Sequence, residues 1–207
     1  MTSAASTWIP EFLETYPGDA RIRWSPQDLA AQQEFVNGCV AGRRWLDWST
    51  PSAAAHLVQA ARGHIAVGAA EKYEALVLAG PVVELIEPAW LFRQAAAPLG
   101  PGGCLVGILP CLRDNSPESR LFADLAARML WPYHTAEEIL EMLRENGWQP
   151  DPGAGGFAAV PRFNEAVLKD ELGFKGFRGL FDRLTAEGYD PMEVGWGELR
   201  LAATLRP

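Results

Sequence analysis

Cysteines are few in this sequence, and basic residues are fewer than acidic ones. Each of these features argues against a class of protein. Three cysteines are present, Cys39, Cys104 and Cys111, and none forms a C-x-x-C pair. This pattern argues against a disulfide framework and against a structural zinc site. With 18 basic and 26 acidic residues the formal net charge is −8, and no basic cluster offsets it. We therefore expect no nucleic-acid partner.

Long apolar runs and common catalytic motifs are also missing. No stretch is long enough to span a bilayer, and the N-terminal residues lack the basic head and apolar segment of a signal peptide. We expect a cytoplasmic protein that does not contact a membrane. The sequence has no G-x-S-x-G elbow, no H-x-x-x-H spacing and no acidic cluster, so we expect no bound metal and leave the catalytic residues unassigned.

Glycine is absent from one stretch where nucleotide-binding α/β domains use it, RRWLDWSTPSAAAHL, residues 43–57. An apolar strand that ends in an acid, followed by a turn and a helix start, is typical of the first unit of such a domain. The turn is normally rich in glycine, so that the backbone can approach the ligand. Asp47 ends the strand here, and Thr50 with Pro51 begins the helix. The stretch predicts the structural unit and leaves cofactor binding open.

Helices and strands alternate along the chain. Predicted helices run from Ser25 to Gly42, from Thr50 to Gly63, after Pro88, after Ser116, and from a Thr135/Glu138 capping box to Gly147. Predicted strands are RRWLDWS, HIAVGAA, EALVLAG and CLVGILP, with GPGG breaking the chain before the last. The alternation predicts a parallel sheet flanked by helices.

The C-terminal part returns to one edge of that sheet. Leu199, Leu201, Ala203 and Leu205 alternate along the final segment, which predicts an antiparallel strand. We expect a single α/β domain over 1–207. It consists of an N-terminal helical cap (1–42), a Rossmann-like core (43–150) and C-terminal helix and strand returns (151–207).

Several segments in the middle of the chain follow one another as in a known family. Tyr73 to Pro110 carries an acidic strand start at Glu74, a turn acid at Glu84, and the pattern L-x-P-G-G at Leu99 to Gly103. TAEEILEMLRENGWQP and GELRLAATL suit the helix and the final antiparallel strand that come later. In this order the segments resemble class I S-adenosylmethionine-dependent methyltransferases. The resemblance implies a Rossmann-like, methyltransferase-type sheet and S-adenosylmethionine as the cofactor.

The glycine-poor stretch is where the sequence departs from that family. WLDWSTPSA aligns with the family's glycine-rich turn, so that Asp47 matches the motif aspartate while Ser49, Pro51 and Ala53 replace three glycines. Side chains there, with the Trp48 indole nearby, would crowd the methionine part of the cofactor. If a cofactor does bind, the resemblance assigns its contacts to Asp47, Ser49, Ala70, Glu71, Ala79 and Gly80. In that set Ala70 holds the position of the usual ribose-binding acid, and the adjacent Glu71 is its substitute.

A second departure is the short distance between two predicted strands. Between HIAVGAA and EALVLAG lie Glu71, Lys72 and Tyr73 alone, whereas a βαβ unit takes roughly 30 residues. The family's third strand therefore has no room, and we expect a shortened sheet. The same spacing predicts that the two strands are direct neighbours, with a hairpin as one arrangement.

Three functions stay open at this point. The favoured one is a degenerate methyltransferase fold that acts as a structural or regulatory partner of another protein or of a second copy. The eight tryptophans raise the expectation of such a partner. The second is an active methyltransferase on a small-molecule or protein acceptor, with His134, in a loop between two predicted helices, as a candidate base. The third is a different nucleotide-binding Rossmann-like domain.

Overall fold

The structure is a computed structural model, and it describes residues 26–49, 64–65, 72–80, 87–128, 133–153, 156–159, 175–190 and 194–207. The helices in these residues are α1 (Pro26–Val40), α2 (Pro88–Ala96), α3 (Pro117–Ala127), α4 (Ala136–Glu145) and α5 (Lys175–Ala186). The strands are β1 (Arg44–Asp47), β2 (His64–Ile65), β3 (Tyr73–Ala79), β4 (Leu99–Leu112), β5 (Trp148–Pro150), β6 (Gly156–Ala159) and β7 (Trp196–Leu205).

The strands form one sheet in the order β2-β1-β3-β4-β7-β5, with β6 also paired to β7. Strands β1 to β4 pair in parallel, β7 is antiparallel to β4, and both β5 and β6 are antiparallel to β7. The predicted Rossmann-like, mostly parallel sheet with an antiparallel C-terminal strand is therefore confirmed. The shortened form is confirmed too, since Ile65 of β2 and Tyr73 of β3 are too close in the chain for a further βαβ unit between them.

The prediction that β2 and β3 are direct neighbours in the sheet is wrong. Arg44 of β1 pairs with His64 of β2, and Trp45 of β1 pairs with Ala75 of β3, both in parallel. Strand β1 therefore lies between the two, and a hairpin, which requires antiparallel neighbours, is ruled out. The sequence spacing limits the length of the connection but does not show which strand lies between its ends.

The position predicted for the GPGG segment is also wrong, because it lies inside β4 and not before it. Leu99 already pairs with Tyr73, and the pairing resumes at Cys104 with Ala75. The segment is therefore a bulged loop within the ladder. The predicted helix from Thr50 to Gly63 and most of HIAVGAA lie outside the described residues, and the single-domain organisation stays a prediction.

The two faces of the sheet are covered by different helices. On one face α1 packs Val36 and Val40 against a cluster that includes Trp45, Val77 and Val106. On the other face α2 and α4 pack against the opposite sides of β3, β4 and β7, and the core contains Leu76, Leu91, Phe92, Leu105, Leu143, Trp148 and Leu201. The predicted alternation along β7 is confirmed, because Leu199, Leu201, Ala203 and Leu205 all belong to this second cluster.

Helices α3 and α5 lie beyond the end of β4. Leu112, the last residue of β4, packs with Phe122 of α3 and Leu184 of α5 in a smaller cluster. Two of the predicted helix starts are confirmed: Ser116 accepts a hydrogen bond from the backbone N–H of Ser119, and α4 begins with a complete capping box. The starts predicted at Ser25 and Thr50 lie outside the described residues. No helix in the described part of the chain is both long and apolar enough to cross a membrane.

Trp148 joins α2 to the sheet edge and provides a test of this packing. Its side chain is fully buried, and the indole N–H donates to the Phe92 carbonyl oxygen at 3.0 Å. We expect Trp148→Phe to lower the free energy of unfolding by about 1–3 kcal/mol, because the carbonyl loses its partner and a small cavity opens. Urea unfolding measures this change. The exposed neighbour Gln149→Ala serves as the control and should change stability by less than about 0.5 kcal/mol.

Candidate functional site

The sheet order places one crevice at the carboxyl ends of β1 and β3. Strand β1 connects to β2 on one side, whereas β3 connects to β4 on the other, so the strand order reverses between β1 and β3. Ligands of open α/β sheets bind at such a reversal, outside the carboxyl ends of the strands. Asp47 ends β1 and Ala79 ends β3. The structure therefore brings Asp47, Ser49, Ala79 and Gly80 together, as the resemblance implies.

Ser49 connects the two strand ends across this crevice. Its hydroxyl accepts a hydrogen bond from the backbone N–H of Ala79 at 3.0 Å. Its own backbone N–H donates to the Oδ1 atom of Asp47 at 2.8 Å, and the Ser49 side chain also bonds to the Asp47 carboxylate. The Ser49 side chain therefore spans the gap between the ends of β1 and β3.

The other backbone donors at this edge are bonded as well. The N–H of Trp48 donates to the Val77 carbonyl at 2.8 Å, and the N–H of Gly80 donates to the Ile108 carbonyl at 3.0 Å. Together with those of Ser49 and Ala79, these four described backbone N–H groups all have partners inside the protein. A ligand that bonded to one of these four groups would have to displace its present partner.

The carboxyl group of Asp47 is held inside this turn. Burial raises the pKa of Asp47 above its ordinary value, and the hydrogen bonds from Ser49 act in the opposite direction. A carboxylate that accepts the N–H two residues ahead in the chain forms an Asx-turn, which orients the backbone locally. The arrangement accounts for Asp47 as a turn residue without requiring a ligand.

The Trp48 indole does not lie in the crevice, so the expectation that it crowds a cofactor there is wrong. Its side chain is 3% exposed and belongs to the core cluster on the face covered by α2 and α4. Because Asp47 and Trp48 are consecutive, their side chains point to opposite faces of the strand end. The tryptophans Trp45 and Trp148 are buried in the core as well, so part of the high tryptophan content serves packing and not a partner.

Four residues of the sequence argument lie outside the described residues: Ala70, Glu71, Pro51 and Ala53. Their assignment stays a prediction. His134 is described, and its backbone carbonyl accepts a hydrogen bond from Leu112 at the carboxyl end of β4. Its Nε2 atom is buried and has no hydrogen-bond partner in the described part of the chain. Burial lowers the pKa of His134, while the charges of Glu138 and Glu87 raise it.

A buried carboxylate that no sequence motif indicates lies at the same end of the sheet. Glu198 of β7 is 2% exposed and accepts hydrogen bonds from Gln32 Nε2 at 2.7 Å and Arg200 Nε at 2.6 Å. It pairs with Pro110, near the end of β4, and faces α1. Burial raises the pKa of Glu198, while Arg200 and Gln32 lower it. The described residues contain no group of three or more His, Cys, Asp or Glu side chains that could hold a metal.

No family model and no curated protein matches this sequence. Solved structures do match, over nearly the whole chain. A geranyl diphosphate C-methyltransferase from Streptomyces coelicolor A3(2) superposes with a TM-score of 0.52 at 12% identity, covering 98% of this chain and 99% of that one. An S-adenosylmethionine-dependent methyltransferase from Geobacter sulfurreducens, solved with S-adenosyl-L-homocysteine, gives 0.50 at 18% identity, covering 96% and 98%.

These similarities decide the fold. The chain has the class I methyltransferase fold. They do not decide the reaction, because identities this low carry the architecture alone. The [4+2]-cyclase SpnF also superposes on this chain, with a TM-score of 0.54 at 16% identity, covering 92% of this chain and 86% of SpnF. A shared fold supports different chemistries, and the function has to be argued from the site.

The Ser49 bridge has a measurable consequence. In Ser49→Ala the backbone N–H of Ala79 loses its acceptor, and we expect the free energy of unfolding to fall by about 1–3 kcal/mol. We also expect the Ala79 amide to exchange faster with solvent deuterium, by a factor larger than the global loss of stability explains. The Gly80 amide, which bonds to Ile108, is the internal control. Equal acceleration of both amides would contradict a specific bridge.

The raised pKa of Glu198 predicts a pH dependence of stability. A folded-state pKa above the unfolded value means that the folded chain binds more protons between the two values. The free energy of unfolding should therefore fall as the pH rises through this interval, starting near the ordinary value of 4.5. Glu198→Gln removes the titration, so the stability of the wild type minus that of the variant should decrease with rising pH. Urea unfolding across the interval tests this, and a difference that stays constant or increases would refute it.

Proposed function

We propose that this protein is a methyltransferase-fold protein that does not catalyse methyl transfer and that acts as a structural or regulatory binding partner of another protein or of a second copy. The observation that carries the proposal is the Ser49 bridge between β1 and β3. It occupies the crevice in which this type of sheet binds its ligand.

The described part of the crevice does not fit the methionine part of the cofactor. Glycine-rich turns bind ligands by close approach of bare backbone, and here the Ser49 side chain lies between the two backbones. Asp47, whose carboxylate bonds to Ser49, is already used within the turn. Pro51 and Ala53, in the other two glycine positions of the sequence, would add further bulk.

Opening the Ser49 bridge would lower the affinity of a cofactor for the crevice. Breaking the Ser49 bond to Ala79 leaves a buried N–H unsatisfied, which costs about 1–3 kcal/mol, equivalent to roughly a tenfold to hundredfold loss of affinity. A ligand would have to recover this cost in contacts that the turn no longer offers. Binding to another protein does not require the crevice to open, which favours that role.

One observation favours the alternative, an active S-adenosylmethionine-dependent methyltransferase. His134 lies at the carboxyl end of β4 with a buried Nε2 atom that has no partner among the described residues, and burial favours its neutral form. A neutral imidazole at this edge could accept a proton from a methyl acceptor. Methyl transfer can also proceed by alignment alone, so the reaction would not depend on this group.

Isothermal titration of the full chain with S-adenosylmethionine and S-adenosylhomocysteine separates the two functions. We expect no saturable binding up to about 1 mM ligand, which corresponds to less than about 4 kcal/mol of binding free energy. A dissociation constant in the micromolar range would overturn the proposal and support the active enzyme. Far-ultraviolet circular dichroism of the same sample verifies that the chain is folded.

A variant that restores the glycines serves as the matched control. Ser49→Gly, Pro51→Gly and Ala53→Gly together remove the bridge and the bulk, and we expect this triple variant to bind S-adenosylhomocysteine more tightly than the wild type. Ser116→Gly, which alters a serine at the start of α3, should leave binding unchanged. If the triple variant is folded and also fails to bind, the bridge is not what closes the site.

A further inference from the structure

A second site lies at the opposite end of the sheet from the crevice. The amino ends of β1, β3 and β4 surround a surface cavity of about 340 Å³, lined by Arg43, Lys72, Glu74 and the glycine loop 100–103. This volume lies within the range of small-molecule pockets. Because the cavity and the crevice occupy opposite ends of the strands, binding in the cavity does not depend on whether the crevice binds a cofactor.

The loop in this cavity is a bulge that only glycine allows. Residues 100–103 stand opposite the single residue Glu74, since Leu99 pairs with Tyr73 and Cys104 with Ala75. Gly102 has a φ of 72°, in the left-handed region. A Cβ atom on Gly103 would approach the Leu99 Cβ to 2.7 Å and the Gly100 carbonyl oxygen to 2.9 Å. Larger residues at these two positions would force the loop open.

The bulge also takes backbone groups out of the sheet. Pairing of β4 with β7 begins only at Cys104, so residues 100–103 belong to neither neighbouring ladder. The N–H groups of Gly102 and Gly103 therefore have no strand partner at the point where the cavity lies. Successive N–H groups around a left-handed residue form a concave surface that binds anions.

Two cationic side chains line the same cavity. Lys72 donates one of its three ammonium protons to the Ala97 carbonyl oxygen at 2.5 Å, and the Arg43 guanidinium, with five donors, lies near the Cys104 thiol. Both side chains therefore keep further donors. The one acid in the lining, Glu74, has a carboxylate oxygen that accepts the Arg44 backbone N–H at 2.8 Å. The lining therefore carries more cations than acids, in a chain of net charge −8.

We propose that this cavity binds a small phosphate-bearing anion. The phosphate oxygens accept hydrogen bonds from the backbone N–H groups of Gly102 and Gly103. Lys72 and Arg43 neutralise its charge from the two sides of the loop. Bonds between cationic donors and phosphate are shorter and stronger than neutral ones, which gives the site its affinity.

The test uses inorganic pyrophosphate as the probe, with the full chain labelled with ¹⁵N. We expect saturable shifts of the Gly102 and Gly103 amide resonances. We also expect the affinity measured by isothermal titration to fall as salt is added. Lys72→Met keeps the length of the aliphatic stem and should weaken binding about tenfold or more. Arg128→Met, at the exposed end of α3, is the matched control and should leave binding unchanged.

Each alternative result overturns the proposal. Absence of saturable shifts in the two glycine amides, in a sample whose other resonances show a folded chain, would exclude the site. Equal weakening by Lys72→Met and Arg128→Met would reduce the interaction to general surface charge. Because S-adenosylmethionine binding is measured separately at the other end of the sheet, either proposal can fail while the other stands.

Discussion

The pairing of β4 with a strand on each side is the constraint on which the rest of this structure depends. On one side β4 pairs in parallel with β3, and on the other it pairs antiparallel with β7 over nine consecutive residues, from Cys104 to Leu112. Helix α1 packs on one side of this strand, and α2 and α4 pack on the other. At Gly107 a Cβ atom would approach the Leu201 Cγ to 2.9 Å, so the close contact of β4 with β7 requires glycine there. The parallel and antiparallel halves therefore share one strand and one core.

The two ends of the parallel strands differ in chemistry. At the carboxyl end, Ser49 and Asp47 bond to each other and to the end of β3, so that polar groups are satisfied within the protein. At the amino end, the bulged glycine loop leaves backbone groups outside the ladders, beside Lys72 and Arg43. The class I methyltransferase fold places its ligand at the first of these ends. In this chain Lys72 and Arg43 place cationic side chains at the second end.

Much of the fold could be predicted from the sequence, because periodicity and caps act locally. Thr135 and Glu138 mark the start of α4, and the apolar alternation from Leu199 to Leu205 marks β7. The strand order of the family that the sequence resembles also predicted which residues lie together at the crevice: Asp47, Ser49, Ala79 and Gly80. The position of β1 between β2 and β3 could not be predicted, since it depends on non-local pairing. The same holds for the Ser49 bond to Ala79, which depends on where a side chain lies relative to a neighbouring strand.

Glu198 shows a different limit of sequence reasoning. It alternates with the leucines of β7 and carries the pattern of a solvent-facing residue, with Arg200 two positions later. It is buried because α1, whose sequence has little apolar asymmetry, covers that face and directs Gln32 toward it. A hydrogen bond between polar residues on two facing elements leaves no recognisable pattern in the sequence of either element alone.

The outer edge of β7 shows how the chain is protected against association through its sheet. A ten-residue strand with a continuous apolar face would be a template for pairing with another chain. Here β5 covers the end of β7 from Ala203 to Leu205, and β6 covers Gly197 to Arg200. The two covering strands have three and four residues and are separated by a turn with Gly153 in the left-handed region. This edge of the sheet is therefore short and interrupted, which makes addition of a strand from another molecule at this edge unfavourable.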